Sequence, residues 1–379
     1  VPAFVSVSFR KACFAVVLVL LAVSASSVQA ADITVTDAWG RTVTVPEHPQ
    51  RVICSGPGCL RYLVYLQEQD RIVAVDDMEK SRETFKARPY YLAHPELQDH
   101  PLFGEFRGHD NPELIVALDP APQVIFKTYG EMGHDPEELQ AKTGIPVVVL
   151  NYGDLTGHRE DMNNSLRLMA KILGREKRAE DVLGFFDDAI LDLQKRTADI
   201  PDDQRPTCFV GGIAHKGPHG FSSTEPSYPP FAFVNALNVA ADPESDTGSL
   251  SYAEVAREQI VAWDPDFLFV DLSTIQGGEK AGAIHQLKTE PCYQALKAVG
   301  DGRVYGVLPY NWYTQNYGSI LADAYFTGKI VYPERFKDVD PAAKADEIYT
   351  FLVGEPVFEA MNESFDNLVF SALDMRETN

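Results

Sequence analysis

Between Gly174 and Pro201 the chain reads REKRAEDVLGFFDDAILDLQKRTADI, and its apolar residues recur at i, i+3, i+4 and i+7. Ala179, Val182, Leu183, Phe186, Ala189, Ile190, Leu193 and Ile200 therefore make one stripe of an α-helix, and the opposite face is charged. Gly174 closes the helical run RLMAKILG that precedes it, and Pro201 and Pro206 end it. The spacing predicts a helix within residues 175–200, roughly 24 residues and ~36 Å long at about 1.5 Å per residue.

On either side the period changes to short apolar runs that end in Gly, Asp, Tyr or another polar residue. RVICSGPG, RIVAVDD, QVIFKTYG and PVVVLNYG come before the helix; PTCFVGGIA, DFLFVDLS and RVYGVLPYN come after it. Helical segments separate the runs, YPPFAFVNALNV and SYAEVAREQIVAW among them, and ITVTDAWGRTVTV alternates around Trp39-Gly40 as a β-hairpin. This alternation predicts an α/β fold, two Rossmann-like lobes joined by one long rigid α-helix. The expected boundaries are residues 31–174 for the N-terminal lobe, 175–200 for the connector and 201–379 for the C-terminal lobe. The last ends in a tail from residue 333, whose helix PAAKADEIYTFLVG starts at Asp340 and stops at Gly354.

Composition narrows the setting. Arg10 and Lys11 precede CFAVVLVLLAVSASSVQA, an apolar stretch of signal-peptide length that ends in small residues, so residues 1–30 read as a secretory signal cleaved after Ala30. The stretch is shorter than the ~20 residues that span a bilayer, and Cys13 lies too early to be a lipid-acceptor cysteine, so a soluble, exported, periplasmic protein is expected. Removing the two basic residues of that segment leaves 31 Lys and Arg against 55 Asp and Glu, a net −24, which disfavours nucleic acid and anionic membranes as partners. Four cysteines remain, and in an oxidising compartment an even number invites disulfides. Cys54 ends a strand and Cys59 opens a helix across Ser55-Gly56-Pro57-Gly58, so a bond between these two is the expected pairing. Enzyme motifs such as G-x-S-x-G, H-E-x-x-H or G-x-x-x-x-G-K-[ST] are absent, and the Gly-rich SGPG reads as a strand-to-helix turn.

Four segments, in their order and spacing, resemble the bacterial periplasmic binding proteins that feed ABC importers of ferric siderophores, cobalamin and haem. They are ITVTDAWGRTVTVPEHPQRVI, GHDNPELIVALDPAPQVIF, VAREQIVAWDPDFLFV and LPYNWYTQNYGSILADAYF, and the resemblance covers most of residues 31–330. It implies a non-enzymatic binding protein, a monomer with no intrinsic cofactor that holds its ligand in a cleft between the lobes, a permease dimer in the inner membrane as partner, and a metal chelate as transported ligand; an exported two-lobed enzyme and a periplasmic sensor subunit are the competing classes. Ferric siderophore comes first, corrinoid or haem next, and molybdate or tungstate as a further possibility. It also implies that Glu113 and Glu258, each at the start of a surface helix, engage arginines on the two permease subunits. Their plainer role is an acid that favours the helix dipole, about 0.3–1 kcal/mol each.

Within that frame the strand-end loops supply the candidate ligand contacts. Tyr91, Tyr129, Tyr228, Tyr310, Trp312 and Tyr313 offer apolar area with a polar edge, suited to a large planar or chelated ligand; Trp312 matches the pocket tryptophan of the cobalamin-binding relatives. Arg107, Lys127 and Lys216 are candidate cations for carboxylates, catecholates or an oxyanion. His215 and His219 could meet a metal or a haem iron, although capture of bare zinc would need three or four convergent ligands and the other histidines are scattered.

Overall fold

The computed structural model describes Val1 and residues 31–80, 87–241, 250–278 and 282–375; the secretory signal expected over residues 1–30 lies, but for Val1, outside the described residues. The connecting helix is Glu176–Thr197, 22 residues long, and it buries Ala179, Val182, Leu183, Phe186 and Leu193 of the predicted stripe. It stops short of Ile200, whose amide turns back to the Thr197 carbonyl ahead of Pro201. Gly174, left-handed at φ 72°, closes the preceding helix Arg159–Leu173.

The N-terminal lobe is built on a parallel sheet in which Val124–Thr128 lies between Val52–Ser55 and Val147–Leu150. Every residue of the three strands is buried, as in a parallel sheet covered on both faces. The hairpin Asp32–Thr36 with Thr42–Pro46 is antiparallel as predicted. RIVAVDD contributes only Val75–Asp76, which joins Leu102–Glu105 and His109–Asp110 in a second small sheet. The C-terminal lobe carries four parallel strands in the order Leu237–Asn238, Thr207–Gly211, Phe267–Asp271, Val304–Val307. Here the two predicted helical stretches are split. YPPFAFVNALNV yields the short helix Pro229–Phe233 and then a strand, and SYAEVAREQIVAW yields the strand Ala253–Glu254 and then the helix Arg257–Trp263.

The tail does more than extend the second lobe. Its helix Pro341–Val353, capped by the Asp340 side chain on the Ala343 amide, packs on the buried helix Tyr317–Val331 and also on the N-lobe helices Cys59–Tyr65 and Pro89–Ala93. The Phe351 ring stacks on Phe185 of the connector at 4.2 Å, and the imidazole of His94 in the N-lobe meets the Val353 carbonyl at 2.9 Å. The lobes are thus tied twice, and one apolar cluster runs from the N-lobe through the connector into Tyr317–Val331 and the tail.

Because that cluster is shared, the wild-type protein is expected to unfold in one transition, with fluorescence and far-UV circular dichroism coincident in urea. Leu352, 1 % exposed, sits against Gly318 in this bridge; Leu352→Ala should cost about 2–5 kcal/mol without splitting the transition. Two separate wild-type transitions would show that the lobes are energetically independent.

Candidate functional site

Strands of both lobes deliver their C-terminal loops to one place. In the N-lobe, Val124–Thr128 runs into Tyr129 and Val147–Leu150 into Asn151, Tyr152, Gly153 and Asp154. In the C-lobe, Val304–Val307 leads to residues 311–315, a loop closed by an Asn311–Gln315 bridge, with Tyr313 and Thr314 left-handed at φ 47° and 63°. Between them lies a cleft of about 470 Å³ lined by Tyr129, Glu131, Tyr152, Asp154, His158 and Asp161 from one side and Ser251, Asn311, Thr314 and Gln315 from the other.

Tyrosines form the cleft's inner wall. The Tyr152 ring stacks with Tyr62 at 4.9 Å, Tyr317 at 5.2 Å and Tyr129 at 6.3 Å. Tyr317, on the C-lobe helix, donates to the Tyr152 carbonyl at 2.8 Å, and the Tyr129 and Thr314 hydroxyls meet across the lobes at 2.8 Å. Beneath them Arg61, 1 % exposed, donates to the Tyr152 hydroxyl and to the carbonyls of Gln315, Trp312 and Tyr313. Helix Cys59–Tyr65 comes this close because Gly58, at φ 78°, has no side chain; a Cβ there would stand 2.0 Å from the Tyr152 ring.

Charge is unevenly distributed. The N-lobe wall carries Glu131, Asp154 and Asp161. Asp154 accepts the Thr156 and His158 amides in a turn; Asp161 accepts from the Asn151 side chain at 3.0 Å and faces His158 Nδ1 at 3.6 Å. Behind the C-lobe wall, Tyr310 donates to Glu225 at 2.5 Å and stacks on Tyr228 at 5.7 Å. Burial pushes the Glu225 carboxyl up to about 8 and Asp271 up to about 7, and raises Asp323 as well. At neutral pH Glu225 is largely proton-bearing and Asp271 about half so. Among the described residues no group of three or more His, Cys, Asp and Glu side chains is arranged to hold a bare metal ion.

The sequence-predicted residues divide accordingly. Tyr129 lines the cleft. Trp312 and Tyr313 stand in the C-lobe loop that walls it, but Trp312 packs on the core and Tyr313 reaches across to Asp76 at 2.5 Å while accepting the Arg107 amide at 3.2 Å. The Arg107 side chain is exposed, over the Phe106 ring at 5.3 Å. Lys127 is corrected: it is fully buried in the sheet, paired with Asp110 at 2.7 Å and donating to the Gly108 carbonyl at 3.1 Å, so it neutralises an internal carboxylate and does not face the cleft. Tyr91, Tyr228 and Tyr310 are also corrected, because all three are buried, Tyr91 under the Arg88 guanidinium at 4.6 Å and the other two inside the C-lobe. His215 and Lys216 are exposed on a loop where His215 stacks on Tyr252 at 4.2 Å, beside the cleft rather than lining it. Cys54 and Cys59 are buried free thiols held in hydrogen-bond contact, not a bridge. Glu113 and Glu258 are exposed in the first turns of Pro112–Val116 and Arg257–Trp263.

Sequence reasoning missed Arg61, Tyr62, Tyr152, Tyr317 and the acids of the N-lobe wall. One signal was available: an arginine within the apolar helical run CLRYLVYL, where only a partnered cation can be buried.

The family model described as "Periplasmic binding protein" matches residues 52–310. Among characterised proteins the chain is similar to the molybdate-binding protein MolA of Haemophilus influenzae, 22 % identical over 84 % of this chain and 90 % of that one. It is also similar to the Fe(3+)-citrate-binding protein YfmC of Bacillus subtilis, 28 % identical over 51 % of this chain and 53 % of that one. Of solved structures, MolA bound to molybdate superposes with a TM-score of 0.63 at 20 % identity, covering 85 % of this chain and 98 % of that one. A periplasmic solute-binding protein from Veillonella parvula gives 0.66 at 20 % identity, over 89 % and 99 %.

The buried acids set a pH dependence. A carboxyl whose folded value lies above its unfolded one binds its proton more tightly in the native state. Its contribution to stability is therefore full below pH ~4, the unfolded value, and is lost as pH rises through about 8 for Glu225 and about 7 for Asp271. The melting temperature should fall between pH 5 and 8.5. Glu225→Gln, which keeps an acceptor for Tyr310, should flatten that fall; an unchanged slope would mean that Glu225 is ionised in both states.

Proposed function

Since the chain belongs to the periplasmic binding protein family, whose members are ABC-importer solute-binding proteins and not enzymes, we propose that its cargo is a metal chelate of neutral or positive net charge, a ferric siderophore first. The observation that carries this reading is the cleft's make-up: the Tyr129 and Tyr152 rings for apolar contact with a large ligand, and the three carboxylates Glu131, Asp154 and Asp161 against one histidine in the lining. Such a wall attracts a chelated cation and repels a bare anion. A second reading, molybdate or a similar oxyanion, is favoured by the similarity to MolA along most of the chain and by the donors Asn151, Ser251, Asn311 and Gln315 in the lining. Corrinoid and haem remain alternatives of the first class. The location is extracytoplasmic, and the apolar segment that precedes residue 31 supports export to the periplasm through a cleavable signal.

Thermal shift and calorimetry with a panel decide between the readings: ferrioxamine B, ferrichrome, haem, cyanocobalamin, ferric citrate and sodium molybdate. A hydroxamate chelate should bind and raise the melting temperature, and Tyr129→Ala should weaken it roughly threefold to tenfold, about 0.5–1.5 kcal/mol. Stabilisation by molybdate alone would overturn the chelate reading in favour of the second.

Delivery to a permease is supported by Glu113 and Glu258, one exposed on each lobe. Glu113 is flanked by the exposed apolar side chains Leu114 and Val116, a composition suited to docking. The double change Glu113→Gln, Glu258→Gln should abolish uptake in cells while ligand affinity and melting temperature stay nearly unchanged. Normal uptake with a small stability loss would reduce both residues to helix-terminal acids.

A further inference from the structure

We propose that Arg61 is the positioning residue of the cleft, a buried cation on the N-lobe that fixes the C-lobe loop of residues 311–315 and so presets the cleft at its ligand-ready width. The proposal rests on the reading that this cleft is the ligand site. Nη1 of Arg61 donates both to the Tyr152 hydroxyl and to the Gln315 carbonyl, the latter at 2.8 Å, so one nitrogen joins a lining residue of each lobe. Nη2 reaches the Trp312 and Tyr313 carbonyls at 3.4 Å each. The Tyr90 and Tyr152 rings lie 5.4 and 5.6 Å from the guanidinium carbon. The planar fork suits this task, because a guanidinium presents five donors in fixed directions where an ammonium presents three on a flexible stem.

The loop is shaped to meet it. Its two left-handed residues turn the chain so that three of its carbonyls converge on one cation. Asn316, fully buried, holds the loop from within through the Tyr310 and Trp312 carbonyls at 2.9 and 3.1 Å. Separating the lobes would strip a desolvated cation of its acceptors, so closure is favoured before any ligand arrives. A ligand then meets a preformed site, and its affinity is reduced only by the fraction of molecules in which the loop is detached.

Amide hydrogen exchange on the ligand-free protein tests this directly. Arg61→Met should lower protection across residues 311–317 by roughly tenfold or more while Val52–Ser55 and Val124–Thr128 keep theirs, and Arg61→Lys should fall between, as a cation with fewer donors. Affinity for ferrioxamine B, where wild type binds it, should drop by the factor that the detached fraction sets. Unchanged protection of 311–317 in Arg61→Met, or equal loss in the core strands, would overturn the proposal and make Arg61 an ordinary core residue. If Arg61→Met does not fold, Arg61→Lys decides by the same two criteria. Exchange needs no ligand, so selective loosening together with failure of every chelate to bind would overturn the chelate reading and leave the positioning role standing.

Discussion

A guanidinium shut away from water must be given acceptors by the protein, and Arg61 takes most of its acceptors from across a lobe boundary. Much of the site's geometry depends on that. Gly58 has to lack a side chain so that helix Cys59–Tyr65 can bring the cation up to Tyr152 and Thr314. Tyr152 has to stand where Tyr62, Tyr129 and Tyr317 can pack around it. Residues 311–315 have to adopt a turn that presents carbonyls inward. Tyr313 then falls between Asp76 and the Arg107 amide, a further tie between the lobes a short way along the same seam.

The fold supports such a seam because the lobes are not hung on one helix alone. Glu176–Thr197 joins them in sequence, but the tail helix Pro341–Val353 joins them in space, touching the N-lobe, the connector and Tyr317–Val331 at once. Closure of a two-lobed protein is large when a few flexible strands cross between the domains. Here a continuous apolar cluster crosses instead, and interior packing resists continuous deformation. Small adjustments of loops, rather than swings of lobes, are what this architecture allows.

How much of this was legible in the sequence follows the range of the interactions. The connector was legible because a 3.6-residue period is local, and so were the strand-end loops, since a strand, its turn and the next helix are contiguous. Lys127 misled for the same reason: a charged residue at a strand's end resembles a site residue, and only folding sets it beside Asp110 in the interior. Tyr228 and Tyr310 misled because an aromatic in a loop and an aromatic under a loop have the same sequence context, and burial separates them. The contacts of Arg61 with residues more than 250 positions away could not be read at all. What could be read was the anomaly of an arginine in an apolar helix, which implied a partner without naming it.

In the proposed ligand site the two walls of the cleft differ in how they carry charge. On the N-lobe side the carboxylates of Glu131, Asp154 and Asp161 are half-buried or exposed and line the cleft directly. Behind the C-lobe wall the acids are buried, and burial raises them until Glu225 keeps its proton at neutral pH and Asp271 keeps about half of its own. A protonated carboxyl is a hydrogen-bond group and not a field source, so in that reading the C-lobe wall offers a ligand chiefly the shape and polarity of Ser251, Asn311, Thr314 and Gln315. Selection by charge therefore falls to one lobe and selection by fit to the other. Arg61, although cationic, does not offset the acids as a ligand contact would, because the donors of its two terminal nitrogens are already spent on the seam that holds the walls in register.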